Sequence, residues 1–214
     1  MKTIAILLAA AAAIIAGCSR VGIKGDGVIK TESRSLSDFS TLEVNGAYKI
    51  TWTPGKPALT ISTDQNLLPL IKTTVNGNTL QINQEQNLRP TKGITIVLSS
   101  ASLSDIKVTG AVMLTAEHLS GQALKLECEG ASQIRVAGSV TNLEANLTGA
   151  SKLDADSLQT QTATLSLEGA SYGNINVTET LNASISGAGM LTYSGNPKSV
   201  SKDVSGAGSI RPAR

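Results

Sequence analysis

Between residues 104 and 210 apolar and polar positions alternate, and one short phrase interrupts the alternation at a near-constant interval. It occurs as Thr109-Gly110-Ala111, Glu129-Gly130-Ala131-Ser132, Thr148-Gly149-Ala150-Ser151, Glu168-Gly169-Ala170-Ser171, Ser186-Gly187-Ala188-Gly189 and Ser205-Gly206-Ala207-Gly208. The glycine-to-glycine steps are 20, 19, 20, 18 and 19 residues. Such a period marks a repeat architecture, whose units bury their apolar side chains only by stacking on neighbours. Two residues before the glycines stand Val108, Cys128, Leu147, Leu167, Ile185 and Val204; four before stand Ile106, Leu126, Ala145, Leu165, Ala183 and Lys202. Four after stand Leu114, Ile134, Leu153, Gly173, Leu191 and Ile210. Period two on both sides of a glycine predicts strand, corner, strand in every rung. Rungs stacked about 4.8 Å apart form parallel ladders around a narrow core. The predicted fold is therefore all-β, a parallel β-helix or β-solenoid, right-handed by the general preference of parallel crossovers.

Upstream, Leu42, Val44, Tyr48, Ile50 and Trp52 alternate with polar residues around Asn45-Gly46-Ala47, so Gly46 is the first expected corner. With Gly110, Gly130, Gly149, Gly169, Gly187 and Gly206 it completes the predicted corner set. The stretch between Gly46 and Gly110 is less regular. Within it, residues 66–72 predict a helical turn or packed loop, and Asn76-Gly77 between two alternating runs predicts a hairpin. Trp52 shares a face with Ile50, which places it in the core or at an end rather than on a sugar-stacking platform. Residues 18–37 carry charges and glycines without apolar periodicity and are expected to be a flexible tether, leaving 38–214 as the solenoid head.

Composition narrows the core. Aromatics are 2% of the chain, so 41% apolar residues must fill the interior chiefly with Leu, Ile, Val and Ala, which suits thin stacked layers. A formal net charge of +2 with no basic run gives no footprint for nucleic acid. The column view also assigns residues that look chemical in isolation. Cys128 fills a slot held elsewhere by Val, Leu and Ile, as a small hydrophobe does. Ser132, Ser151 and Ser171 repeat without an accompanying histidine and are expected to bond nearby backbone. Charges largely complement one another from rung to rung: Asp105, Lys125 and Glu144 in one column, Lys107 and Glu127 in another, Arg135 and Asp154 in a third. Glu129 and Glu168 flank Thr148 at two rung spacings, about 9–10 Å, near the separation of an inverting glycosidase pair. The sole histidine, His118, has no partners for a metal site, and no cofactor is expected. At the far end Lys202 enters an apolar column and Pro212 cannot donate to a ladder, both of which discourage end-to-end pairing.

The first residues change the picture of where the protein works. Met1-Lys2-Thr3 precedes an unbroken apolar run of thirteen residues, 4–16, long enough for a signal peptide and too short to span a bilayer. It ends in Ile15-Ala16-Gly17-Cys18, which resembles the bacterial lipobox. That resemblance implies a lipoprotein signal peptide over 1–17 and cleavage before Cys18. The Cys18 thiol would then carry diacylglycerol, with a further acyl chain such as palmitate on the new amino terminus. Attachment through lipid needs no transmembrane helix. By resemblance to enterobacterial lipoproteins, Ser19 is compatible with outer-membrane sorting.

With the lipobox, the strand region containing Asn45-Gly46-Ala47 and Asn76-Gly77-Asn78-Thr79-Leu80-Gln81-Ile82, and the serial Gly-Ala-Ser/Gly phrases, the chain resembles the auto-transporter adhesin head GIN domain family. The resemblance covers residues 39–210. It implies a β-helix-like fold in bacterial envelope proteins and transfers no catalytic residue. The expected function is a non-enzymatic, lipid-anchored envelope protein presenting a solenoid as a binding or adhesion surface, with polysaccharide or another envelope protein as ligand. The alternatives are a polysaccharide lyase or hydrolase built on a β-helix, or a structural, stress-related periplasmic lipoprotein.

Overall fold

A computed structural model of the chain describes residues 22–213; the signal-peptide stretch and Cys18 lie outside the described residues. Alternating sequence becomes strand almost throughout. In order these are β1 (Ile23–Lys24), β2 (Ile29–Arg34), β3 (Thr41–Gly46), β4 (Lys49–Pro54), β5 (Ala58–Asp64), β6 (Ile71–Asn76), β7 (Thr79–Gln84), β8 (Leu88–Arg89) and β9 (Thr95–Ser100). They continue as β10 (Asp105–Gly110), β11 (Met113–Gly130), β12 (Gln133–Gly149), β13 (Lys152–Gly169), β14 (Tyr172–Gly187), β15 (Met190–Ser194), β16 (Ser199–Gly206) and β17 (Ser209–Pro212). A single 3-10 turn at Leu68–Leu70 stands between β5 and β6. The strands wind as a β-solenoid of about five turns.

Two walls meet at the glycine corner. The first wall runs β7, β3, β10, the C-terminal parts of β11 to β14, then β16, all parallel. The second runs β9, β4, the N-terminal parts of β11 to β14, then β15 and β17, again parallel. Register is continuous along the first wall: Leu42, Ile106, Leu126, Ala145, Leu165 and Ala183 pair in succession, and all are buried. The unequal rung lengths are absorbed at the opposite corner. There the ladders shift register between Ala116 and Leu119, Arg135 and Gly138, and Ala155 and Gln159. Exposed His118 sits at this corner with φ 59.

All seven glycines from Gly46 to Gly206 in the corner column have positive φ. The reason is close approach as well as conformation. Gly149 has φ +91, and a Cβ built on it would lie 2.6 Å from the carbonyl oxygen of Gly130 in the rung before. That same oxygen accepts the Ala150 N–H at 2.8 Å. The contact between successive glycines is thus part of the ladder hydrogen bonding, and a side chain would hold the rungs apart. The inner corner position shrinks along the stack, from Tyr48 through Val112 to Ser132, Ser151 and Ser171 and then Gly189. Ser132 Oγ donates to the Gly110 carbonyl at 3.2 Å, Ser151 Oγ to Thr148 at 3.2 Å and Ser171 Oγ to Glu168 at 3.1 Å. Trp52 is buried beside small Ala116 and donates its indole N–H to Ser100 Oγ at 2.9 Å.

After β1 and β2 the chain enters the solenoid at the second rung, with β3 and β4, and then detours. After β4, residues 55–104 build the rung beneath it, with β7 under β3 and β9 under β4, and close that end with antiparallel strands. β6 covers β7, β5 covers β9, and β2 covers β5. The hairpin between β6 and β7 turns on Gly77 (φ 58) and Asn78, one residue later than an Asn-Gly turn.

Much of the stretch expected to be a flexible tether is strand: β1 pairs with β8 and β2 with β5. Neither strand buries a stripe of apolar side chains, so no periodicity marks it. Main-chain bonds and two charged groups hold them instead. Ile23 N–H donates to Asn87 O at 2.8 Å and Gly25 N–H to Arg89 O at 3.0 Å. The buried Asp64 carboxylate accepts Gly27 N–H, Thr91 N–H and Thr91 Oγ1, each at 2.8 Å. Burial raises the Asp64 pKa, but the bonds from Thr91 and Gly27 outweigh it and hold the group below its ordinary value. Arg34 donates to the carbonyls of Leu68 and Ile71 at 2.9 and 2.6 Å and pairs with Glu32 at 2.6 Å.

The corner geometry yields a paired prediction. Gly149→Ala loses about 2 kcal/mol or more of unfolding free energy, from positive φ plus the backbone clash. Gly77→Ala, where a Cβ meets nothing within 4 Å, loses about 1 kcal/mol from conformation alone. Denaturant unfolding measures both, and equal losses would remove rung approach as the cause.

Candidate binding face

The outward side of the first wall is built from the residues between its buried columns. Asn83 and, immediately before the corner glycines, Asn45, Thr109, Glu129, Thr148, Glu168, Ser186 and Ser205 pair strand by strand into one unbroken row. At about 4.8 Å per strand it extends about 34 Å along the solenoid. Two rows run beside it, one through Glu43, Lys107, Glu127 and Asn146, the other through Thr41, Asp105, Lys125, Glu144 and Thr164. A shallow trough lies over this surface, lined by Lys107, Thr109, Glu127, Glu129, Asn146 and Thr148. It continues across Asn45 and Asn83 towards the capped end.

The charges are arranged to satisfy each other. Glu127 lies 2.8 Å from the Lys125 ammonium on its own strand and 3.3 Å from Lys107 on the neighbouring one. The hydrogen bonds from Lys125 and then Lys107 hold the Glu127 carboxyl below its usual range, and the bond to Glu127 raises Lys125. Asp105 is raised, because partial burial outweighs the attraction of Lys125. On the second wall Arg135 pairs with Asp154 at 3.1 Å.

Residues that carry chemistry elsewhere are committed to the scaffold. Cys128 is buried, and burial followed by the charge of Glu127 pushes its thiol to about 12, so it stays protonated at neutral pH rather than forming the reactive thiolate. The three corner serines spend their hydroxyl protons on backbone carbonyls. Glu129 and Glu168 are both exposed in the long row, separated by Thr148. Among the described residues no group of three or more His, Cys, Asp or Glu side chains converges as a metal site.

Two features escape a reading of the sequence. Asn83 extends the row beyond Asn45 only because β7 lies beside β3, an adjacency that reverses chain order. Asp64 ends an ordinary alternating strand, and nothing local marks it as the acceptor for two distant segments.

Glu127 supplies a pH test. Because its folded-state pKa is lowered, its stabilisation is fully present above its unfolded pKa and is lost as pH falls through the lowered value. Glu127→Gln is therefore less stable than the parent at neutral pH, by about 0.2–1 kcal/mol given its partial exposure. The difference vanishes in acid. Thermal unfolding followed from about pH 7 to about pH 2 checks this; a gap unchanged in acid would assign the loss to packing.

With the geometry in view, comparison with known proteins places the chain. A putative adhesin from Bacteroides fragilis has the same fold, with a TM-score of 0.75 at 21% identity over 90% of this chain and 100% of that one. A putative lipid binding protein from Parabacteroides distasonis superposes with a TM-score of 0.56 at 22% identity, over 90% and 99% of the two chains. A putative adhesin from Parabacteroides merdae gives 0.57 at 18%, over 91% and 100%. At these identities the likeness is one of fold. None of the curated proteins matches the chain. A family model does match, over residues 38–197, from the start of the head to the turn after β15, and the chain belongs to that family, described as putative auto-transporter adhesin, head GIN domain.

Proposed function

We propose that this protein is a non-enzymatic, lipid-anchored bacterial envelope protein that holds an extended polysaccharide against the first wall of its solenoid. The row from Asn83 to Ser205 carries the reading. It offers amide, hydroxyl and carboxylate groups at a constant spacing on a rigid support, and sugar hydroxyls bond to such groups. A preorganised ladder loses little conformational freedom on binding, which favours weak, repeated contacts summed along a polymer. Lys107 and Lys125 offset Glu127 and Asp105, while Glu43, Glu129, Glu144 and Glu168 leave the face mildly acidic, as suits a neutral ligand better than an anionic one. Membership of an adhesin-head family, and neighbours named as adhesins, support an envelope or surface location.

Attachment is through Cys18. Its thiol displaces a phospholipid headgroup from a diacylglyceryl donor to form a thioether, the signal peptide is removed, and the freed amine is acylated. Ser19 fits an outer-membrane destination.

Two outcomes test these readings. Cys18→Ala abolishes incorporation of labelled palmitate and moves the protein out of the membrane fraction; membrane retention equal to the parent refutes the anchor. On a glycan array the parent binds extended polysaccharides, and Asn146→Ala with Thr148→Ala weakens that binding by about tenfold, the loss of about 1.4 kcal/mol. An array without binding, together with capture of a specific envelope protein by the same face, replaces polysaccharide with protein as the ligand.

A further inference from the structure

The docking of β1 and β2 alters how far the head stands from its anchor. A free tether from Cys18 to residue 37 would let the head sample tens of ångströms of space. Gly22 already lies against Asn87, and Ile23 donates to the Asn87 carbonyl at 2.8 Å. Only four residue steps separate Cys18 from Gly22. Fully extended, they reach about 14 Å. Whatever lipid Cys18 carries, the capped end of the solenoid stays within that distance of it.

The chemistry of that end matches the surface it would meet. Lys24 and Arg89 are adjacent on paired strands, and both are exposed. Lys92, also exposed, follows Thr91, whose two bonds to Asp64 fix this loop beside Gly27. Lys30 extends the basic set along β2. Among these cations stand two uncovered apolar side chains, Val28 at 52% exposure and Ile29 at 37%. They are held in place because Val28 O accepts Gln65 N–H at 2.8 Å and Ile29 pairs with Asp64. Two uncompensated carboxylates stand nearby, Asp64, which accepts three bonds, and Asp26, which accepts Val28 N–H at 3.0 Å, while Glu32 is paired with Arg34; the four cations therefore keep an excess of two. Basic side chains around a small apolar projection are the composition of an interfacial membrane contact.

We propose that the capped end, through Lys24, Lys30, Arg89, Lys92, Val28 and Ile29, is a foot that rests on the anionic lipid surface carrying the Cys18 acyl chains. The inference rests on the lipid anchor proposed above. The foot sets the orientation of the head: the solenoid axis rises from the membrane, with β16 and β17 as its distal end.

The test uses the lipidated chain in vesicles of phosphatidylethanolamine and phosphatidylglycerol doped with a headgroup-spin-labelled lipid. A fluorophore is placed at exposed Gln65 (Gln65→Cys) or, as the distal control, at exposed Ser205 (Ser205→Cys); the buried Cys128 thiol does not compete. The Gln65 label is quenched at least about threefold more than the Ser205 label, as expected of a bound foot. High salt, or the combined Lys24→Gln, Arg89→Gln and Lys92→Gln variant, removes most of that difference while leaving the protein on the vesicles. Unchanged emission from buried Trp52 establishes that the variant remains folded. Equal quenching at the two positions, with the protein still floating with vesicles, overturns the foot and leaves the anchor intact. Quenching that persists in the triple variant overturns the basic contact. A parent chain that does not float with vesicles overturns the anchor and the foot together.

Discussion

The structure depends on the backbone contact at the glycine corner. There the carbonyl of one glycine accepts the N–H of the alanine after the next rung's glycine, from Gly46 through Gly169, at 2.8–2.9 Å. A Cβ at the later glycine would fall on that carbonyl. Once the contact is made the register of both walls is set, and register in a strand is all-or-none because a slip of one residue exchanges inside for outside. The burial of Leu126 against Ala145 and Leu165, the pairing of Lys107 with Glu127, and the alignment of Thr148 between two glutamates all follow from it. Variation in rung length is tolerated because it is discharged at the other corner, where bulges and positive-φ residues accommodate an insertion without disturbing the glycine column.

A parallel ladder built this way has two open ends, and the chain treats them differently. The first is closed by a change of direction: β6 on one wall and β5 on the other run antiparallel to the stack, and β2 pairs antiparallel with β5 beyond it. The second is left as β16 and β17, where the core columns reach solvent at Val200 and Val204. Lys202 takes the position that Ala183 fills one rung earlier. Its ammonium lies 4.8 Å from the centre of the Tyr193 ring and donates to Ile210 O at 3.2 Å. A charge in the core column at an edge opposes the addition of another apolar rung, because burying it there would strip its water without a counterion.

Legibility in the sequence divides along the same lines. The columns around Gly110 to Gly206 were readable because neighbours in space are neighbours in period, so an alignment of the chain on itself is a contact map. Cys128 and the corner serines were readable for the same reason, since each inherits its environment from its column. In the cap the β6–β7 hairpin was readable from its turn, but its placement was not, because β7 and β9 lie beneath β3 and β4 although they follow them in sequence, and no period records that return. Neither were β1 and β2, whose stability comes from main-chain bonds and from Asp64 and Arg34 rather than from apolar alternation. A segment held by its backbone looks, in composition, like a linker.

The docking of β1 and β2 bears on function more than on fold. A head on a long tether presents every face equally. A head whose first described residue lies four steps after Cys18 would not, given the lipid anchor proposed above. The row of polar groups on the first wall begins at Asn83, in the rung next to the cap, and ends at Ser205, in the rung farthest from it. Were the cap on the membrane, as proposed, that row would point outward over about 34 Å. A polymer lying along it would leave the surface end-on, while one crossing it would meet only three rows of side chains. On these proposals, orientation at the foot and recognition on the wall are one geometric problem, joined by the rigidity of the stack between them.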